Sequence, residues 1–266
     1  MINLNKDEQA QYDKVMGRIS LSKDKETLGE HVVNLSKCMV DLGKKSQVDL
    51  CNQTARVVVA LDYSGSMTRL YRDGTIQDTL NRLAPLGLSF DDNGALEVYL
   101  FQNTYHRLPE MTLSNYANYM KEVILTSGYT MGGTQYAPVV QAILADTGKL
   151  GETKKGFFTN IFGGSRNTIE TRKTGERVFV IFITDGENSD ASTMDAVIRA
   201  SSESDIFIQF IGIGSEHFNY LRKLDDLSGR RIDNTGFTQL TDLSAVTDAE
   251  LYTNVLSEFA GWLKII

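Results

Sequence analysis

Asp62, Ser64 and Ser66 follow the apolar run Val57–Leu61 at alternate positions. A carboxylate and two hydroxyls so spaced on one short loop can turn their oxygens toward one small volume. Charge at the end of a buried strand is costly unless it is paired, so Asp62 needs a partner or a cation. Carboxylate, hydroxyl and water oxygens suit a hard divalent ion, Mg²⁺ first with Mn²⁺ or Ca²⁺ as alternatives, rather than a soft metal. Two other segments offer further oxygens. "VFVIFITDGENSD" also runs from apolar residues into a carboxylate, Asp185, and "SGYTMGGTQYAP" supplies Thr134 after Gly132 and Gly133, whose freedom allows a tight turn. A lone Asp at a strand end is ordinarily a turn former or a helix cap. The metal reading rests on Asp62, Ser64, Ser66, Thr134 and Asp185 converging from three loops.

Other chemistries fit less well. The residues around Ser64 do not make the G-x-S-x-G of a nucleophile elbow, and Ser64 stands where an aspartyl phosphatase carries its second Asp. His31, His106 and His217 are scattered and read as surface or packing residues, so no general base is placed beside a metal-bound water. "GIGSEHF" lacks the third glycine of a dinucleotide loop, and no GxxxxGK[ST] occurs. Glu187 and Asp190 read as solvated loop acids. The expectation is a binding protein with no catalytic residues, no organic cofactor and no small-molecule substrate. A metal-dependent phosphoester hydrolase is the rival from a different class.

The elements that position these residues alternate. "ARVVVAL", "RVFVIFIT" and "DIFIQFIGIG" are short β-branched or aromatic runs, the pattern of strands buried on both faces. "GALEVYLF" reads as a further strand and "YHRLPEMT" as an edge strand, with Pro109 favouring the edge. Helices are expected over "GTIQDTLNRLAPLGLSF", "LSNYANYMKEVIL", "YAPVVQAILAD", "TMDAVIRASS" and the C-terminal "DAELYTNVLSEFAGWLKII", where Leu251, Val255, Phe259 and Leu263 share a face. Strand and helix in turn imply an α/β fold: a doubly wound, mostly parallel sheet with helices on both faces. In such sheets ligands bind at the carboxyl ends of the strands, where Asp62 and Asp185 fall.

Residues 1–50 differ from the rest. Leu28, Val32, Leu35, Met39 and Leu42 recur at helical steps between Thr27 and Gly43, and "DEQAQYDKVMGRI" reads as an earlier helix. This segment is expected to be a helical N-terminal extension to a main domain over 51–266, with Gly43 as the stop of its second helix. Gly151 to Glu176 breaks the alternation: Phe157, Phe158, Ile161 and Phe162 lie among glycines and basic residues, as in a surface insertion. Its interleaved aromatic and basic residues also suggest a docking segment for a membrane surface or a protein.

The chain has 266 residues with 41% hydrophobic and 23% charged, enough to bury a core without staples. A formal net charge of −7 argues against nucleic acid as a partner. Two cysteines outside any CxxC spacing, no leader-like N-terminus and no bilayer-length apolar run lead to a cytoplasmic expectation.

Asp62-Tyr63-Ser64-Gly65-Ser66, Gly133-Thr134 and Thr184-Asp185-Gly186 together resemble the von Willebrand factor type A (VWA) domain, which has a Rossmann-like fold. "LDYSGSM", "YRDGTIQDTLNRLAPLGLSFDDNGALEVYLF", "YHRLPEMTLSNY" and "GGTQYAPVV" are similar to its tellurium-resistance (TerF-type) branch, with copines as a more distant relative. The resemblance spans roughly Thr54 to the C-terminus. It implies a metal-ion-dependent adhesion site (MIDAS) in which Ser64, Ser66 and Thr134 reach the metal while Asp62 and Asp185 act mostly through water. It also implies a protein partner offering a carboxylate, and a role in tellurium resistance or stress response. A copine-like, membrane-associated adaptor is the alternative within binding proteins.

Overall fold

The structure, a computed structural model, describes residues 4–19, 25–151 and 169–266. In chain order its elements are α1 (Lys6–Ile19), α2 (Lys25–Ser46), β1 (Arg56–Asp62), α3 (Thr68–Arg72), α4 (Thr75–Phe90), β2 (Glu97–Phe101) and β3 (Tyr105–Arg107). There follow α5 (Ala137–Asp146), β4 (Val178–Thr184), α6 (Ala191–Ser201), β5 (Ile206–Ile213), α7 (Asn219–Asp225), β6 (Thr235–Leu240) and α8 (Asp248–Leu263). The strands form one sheet in the order β3-β2-β1-β4-β5-β6, parallel throughout except for the β2–β3 pair.

The strand order reverses beside β1: β2 and β3 extend to one side, β4 to β6 to the other. β1 and β4, both nearly continuous apolar runs, are therefore central and buried on both faces. Side chains alternate across the sheet. Val57, Val59, Leu61, Phe179, Ile181 and Phe207 share a core with α2, α4 and α8, where Phe259 stacks on Phe179 with centroids 4.2 Å apart. Val58, Ala60, Val180, Phe182 and Phe210 form the opposite core with α5, α6 and α7.

Leu28, Val32, Leu35 and Met39 of α2 are buried in the first of these cores. Asp248, at the start of α8, accepts from Arg82 Nε of α4 at 2.7 Å and from Asn34 Nδ2 of α2 at 3.2 Å, and it pairs with His31 Nδ1 of α2 at 2.6 Å. One carboxylate thus ties three helices together.

Several local expectations are corrected. α2 does not stop at Gly43 but runs to Ser46, and Gln47 closes it in the left-handed region (φ 60°). The Val48 N–H then bonds back to the Gly43 carbonyl at 3.2 Å. Gly43 is needed for room: a Cβ there would lie 2.9 Å from Val48 O. The helix expected over "LSNYANYMKEVIL" is instead a 3₁₀ turn (Tyr116–Asn118) followed by a π turn (Met120–Ile124). Gln77 of α4 enters that backbone, donating to Tyr116 O and accepting from Met120 N, each at 2.7 Å. α3, α7 and β6 are additional elements that the sequence pattern does not mark. In the Gly151 to Glu176 segment, Phe157, Phe158, Ile161 and Phe162 lie outside the described residues. Thr171 bridges to Leu150, and the N–H groups of Thr174 and Gly175 bond to the Asp205 carboxylate.

Candidate metal centre at the strand ends

The β1–β4 register pairs Leu61 with Ile183, which brings Asp62 level with Thr184 at the carboxyl edge. Thr184 Oγ1 accordingly donates to Asp62 Oδ2 at 2.6 Å. The Ser64 N–H donates to Asp62 Oδ1 at 2.8 Å, so both carboxylate oxygens are held. Beyond β1 the chain continues as a loop, with Ser64 bridging to Gly132 and the Gly65 N–H bonding to Gly132 O at 3.1 Å. The Ser64 and Ser66 hydroxyls lie 3.0 Å apart, and Ser66 Oγ donates to Asp185 Oδ1 at 2.7 Å. Asp62, Ser64, Ser66 and Asp185 therefore form one hydrogen-bonded chain across the crevice between β1 and β4.

Thr134 is held through its backbone and makes no hydrogen bond to those four residues among the contacts described. Its carbonyl accepts from both Ser189 N and Ser189 Oγ at 3.0 Å, two residues beyond the Gly132 that pairs with Ser64. Gly132 and Gly133 do not adopt positive φ. Their contribution is space rather than the tight turn expected: a Cβ at either would lie 2.5 Å from an oxygen of Gln102 or Asn103.

The charge balance favours a cation. Burial pushes the Asp62 carboxyl up to about 6, against the hydrogen bonds from Thr184 and Ser64, and the neighbouring Asp185 adds to the rise. Burial also raises Asp185, despite the bond from Ser66. Two carboxyls that resist ionisation, with hydroxyls between them, are a donor set suited to a hard divalent ion.

The residues that hold this arrangement were mostly invisible in the sequence. Asp190, read as a solvated acid, accepts from Tyr136 N at 3.0 Å and Ala137 N at 2.8 Å, capping α5 directly after the Thr134 loop. Glu187, read the same way, accepts from Tyr220 N at 3.3 Å. Tyr136 packs its hydroxyl 3.2 Å from Thr184 Oγ1 and donates to Gly186 O. Tyr71 donates to the Asp62 carbonyl at 3.0 Å. An Asp before a helix is a weak capping signal; here its acceptors serve a different helix.

A family model described as "vWA found in TerF C terminus" matches residues 54–266. The chain belongs to the vWA-TerF-like family. A curated relative in this range of likeness is the uncharacterized protein YcbR of Bacillus subtilis (strain 168), 33% identical over 233 residues, covering 85% of this chain and 86% of YcbR. Among solved structures, proximal thread matrix protein 1 from the mussel byssus is 16% identical with a TM-score of 0.50, covering 77% of this chain. This chain matches about half, 48%, of the mussel protein's length. That likeness is one of fold, and it agrees with a VWA sheet. The same mussel protein is also known with a zinc-occupied MIDAS motif, 17% identical at a TM-score of 0.48 over 79% of this chain and 48% of that one. Within the vWA-TerF-like domain, the Asp62 loop, the Thr134 loop and the Asp185 loop meet where the strand order reverses.

Proposed function

We propose that this vWA-TerF-like domain is a metal-ion-dependent protein-interaction module, with Asp62, Ser64, Ser66, Thr134 and Asp185 holding one divalent ion, Mg²⁺ in the cell. The observation that carries the reading is the hydrogen-bonded chain from Asp62 through Ser64 and Ser66 to Asp185. Both carboxylates already act as acceptors for N–H or O–H groups, which leaves neutral hydroxyls to face the ion. The bound metal supplies a positive charge that a partner's Asp or Glu can satisfy. This chain's residues orient that charge and hold the loops around it.

Exposed apolar side chains on the segment that leads into Thr134 support a protein as the partner. Among the described residues, Tyr105, Leu125 and Tyr129 are exposed large apolar side chains. Leu125 and Tyr129 precede Thr134 on its own loop, and Tyr129 stacks on His106 at 3.7 Å between ring centroids. Exposed aromatic side chains are enriched at binding surfaces. Of the three histidines, His31 pairs with Asp248 and His106 stacks on Tyr129, while His217 is exposed on the loop after β5. The TerF reference in the family description suits a role in tellurium resistance or a wider stress response. The unlinked thiols of Cys38 and Cys51 suit a cytoplasmic setting.

The test is recovery of native partners by immobilised wild type, Thr134→Ala and Ser66→Ala, each in Mg²⁺ and in chelator, with Mg²⁺ affinity measured by calorimetry. Thr134→Ala should weaken capture more than metal binding, because water can replace one hydroxyl while the loop loses its anchor on the ion. Ser66→Ala should weaken both, since Ser66 links Ser64 to Asp185. Capture that survives chelation and both substitutions would place the binding surface elsewhere.

A further inference from the structure

Among the described residues, Met39, Met67, Met111, Met120 and Met194 are buried, whereas Met16 and Met131 are only half-buried. Met16 belongs to α1 and lies against Gly29 of α2. Met131 stands three residues before Thr134 and packs against the core shared with α2, α4 and α8. Its sulfur lies 3.1 Å from Thr68 Oγ1, at the start of α3, in a contact that is only partly buried. Thr68 Oγ1 also donates to Gly65 O at 2.6 Å. A hydroxyl has one proton and a thioether is a weak acceptor, so the carbonyl holds that proton. Gly65 separates Ser64 from Ser66. Through one hydroxyl, Met131 therefore bears on the loop that carries two of the candidate ligands.

The residue after Met131 straps the two loops together. The Gly132 N–H donates to Tyr63 O at 3.2 Å, and Gly132 O accepts from the Gly65 N–H at 3.1 Å, both at the long end of the usual range. Oxidation to the sulfoxide turns an apolar side chain into a polar one. A sulfoxide oxygen directed at Thr68 draws the hydroxyl proton away from Gly65 O. It also pushes the sulfur back, because an O–H···O bond needs about 2.7 Å between its oxygens alone. An oxygen directed the other way either enters the apolar core without a partner or pulls the side chain out into water. Each arrangement moves Met131 and loads the strap at Gly132.

We propose that Met131 is a site of reversible oxidation by peroxide, and that the added oxygen weakens the hold of the strand-end site on its divalent ion; the proposal rests on the metal-dependent reading of that site. The thioether sulfur takes one oxygen from H₂O₂. An S–O bond forms, the O–O bond breaks, the sulfur loses two electrons, and the departing hydroxide takes up the remaining proton to leave as water. A dithiol-driven methionine sulfoxide reductase reverses this, releasing the oxygen as water and forming a disulfide. The two thiols of the chain are poor competitors for peroxide, since the thiolate is the reactive form: Cys38 is buried, and burial pushes Cys51 up to about 11.

The test treats the full chain briefly with H₂O₂ in chelator, locates the oxygen by peptide mass spectrometry and measures Mg²⁺ affinity by calorimetry after the peroxide is removed. Met131 should be oxidised ahead of the buried methionines, Mg²⁺ affinity should fall by about tenfold, and the reductase with a dithiol should restore it. Met131→Gln, which puts a polar acceptor there permanently, should show the weaker affinity without oxidant. Met131→Leu should keep, through the same treatment, whatever affinity it starts with. A loss in Met131→Leu as large as in wild type, or one reversed by the dithiol alone, would trace the effect to other groups and overturn the proposal. Wild type that binds Mg²⁺ equally well once Met131 carries the oxygen would overturn this inference alone. Wild type that binds no Mg²⁺ before oxidation would overturn the metal-dependent reading, and this inference with it.

Discussion

Replacing Asp62 by Asn should stabilise the metal-free protein at neutral pH while abolishing its response to Mg²⁺. Asp62 is fully buried and its carboxyl is pushed up to about 6, chiefly by burial. A carboxyl whose pKa is higher folded than unfolded contributes stability that is complete below the unfolded value and is lost as pH rises through the folded one. The span from the ordinary value near 4 to about 6 corresponds to about 3 kcal/mol lost by about pH 7.5. Asn is nearly isosteric and keeps an acceptor for the Ser64 N–H, but it exchanges the bond accepted from Thr184 Oγ1 for a weaker one. Allowing about 1 kcal/mol for that exchange leaves a gain of about 2 kcal/mol, or roughly 5 °C in Tm. Melting in chelator at about pH 7.5 and about pH 5 checks this, because at the lower pH wild-type Asp62 is already mostly protonated and the gain should shrink. Mg²⁺ should then raise the Tm of wild type alone. A variant no more stable than wild type in chelator, or a gain equally large at the lower pH, would refute the electrostatic account of the site.

Asp248→Ala should cost about 3–5 kcal/mol in denaturant unfolding, because Arg82, only 11% exposed, would keep its charge without its partner. Burial alone would raise the Asp248 carboxyl, but the bonds from His31, Asn34 and Arg82 hold it well below the usual carboxylate range. The stability it confers is therefore present above about pH 4 and lost as the solution is acidified further, and that acid-side loss should be smaller in the variant. Gly87→Ala should destabilise by about 1–3 kcal/mol despite Ala's better helix propensity, since its Cβ would lie 2.6 Å from the Ala95 carbonyl; equal or higher stability would contradict that contact. Leu35→Ala, in the core shared by α2 and α8, should cost about 2–5 kcal/mol and leave Mg²⁺ affinity unchanged, as calorimetry would show.

The sequence alone determined the central strands and the place of the candidate site. "ARVVVAL" and "RVFVIFIT" are legible because a strand buried on both faces has to be apolar along its length, so a carboxylate at its end, fully buried in the case of Asp62, stands out as one that needs partners. Asp62 and Asp185 announce themselves by that abrupt change. β6 and α7 were not legible, because an edge strand such as "TGFTQL" is only partly buried and lacks the apolar run. Only the tertiary structure decided that Thr184 would meet Asp62, since that contact comes from the β1–β4 register rather than from closeness in the chain. The same holds for Asp190, whose carboxylate caps a helix more than fifty residues earlier, and for Gln77, which turns an expected helix into 3₁₀ and π turns. Hydrophobic burial is written residue by residue. A polar side chain has many partners of similar energy, and which one it takes is settled when packing brings that partner within hydrogen-bonding distance.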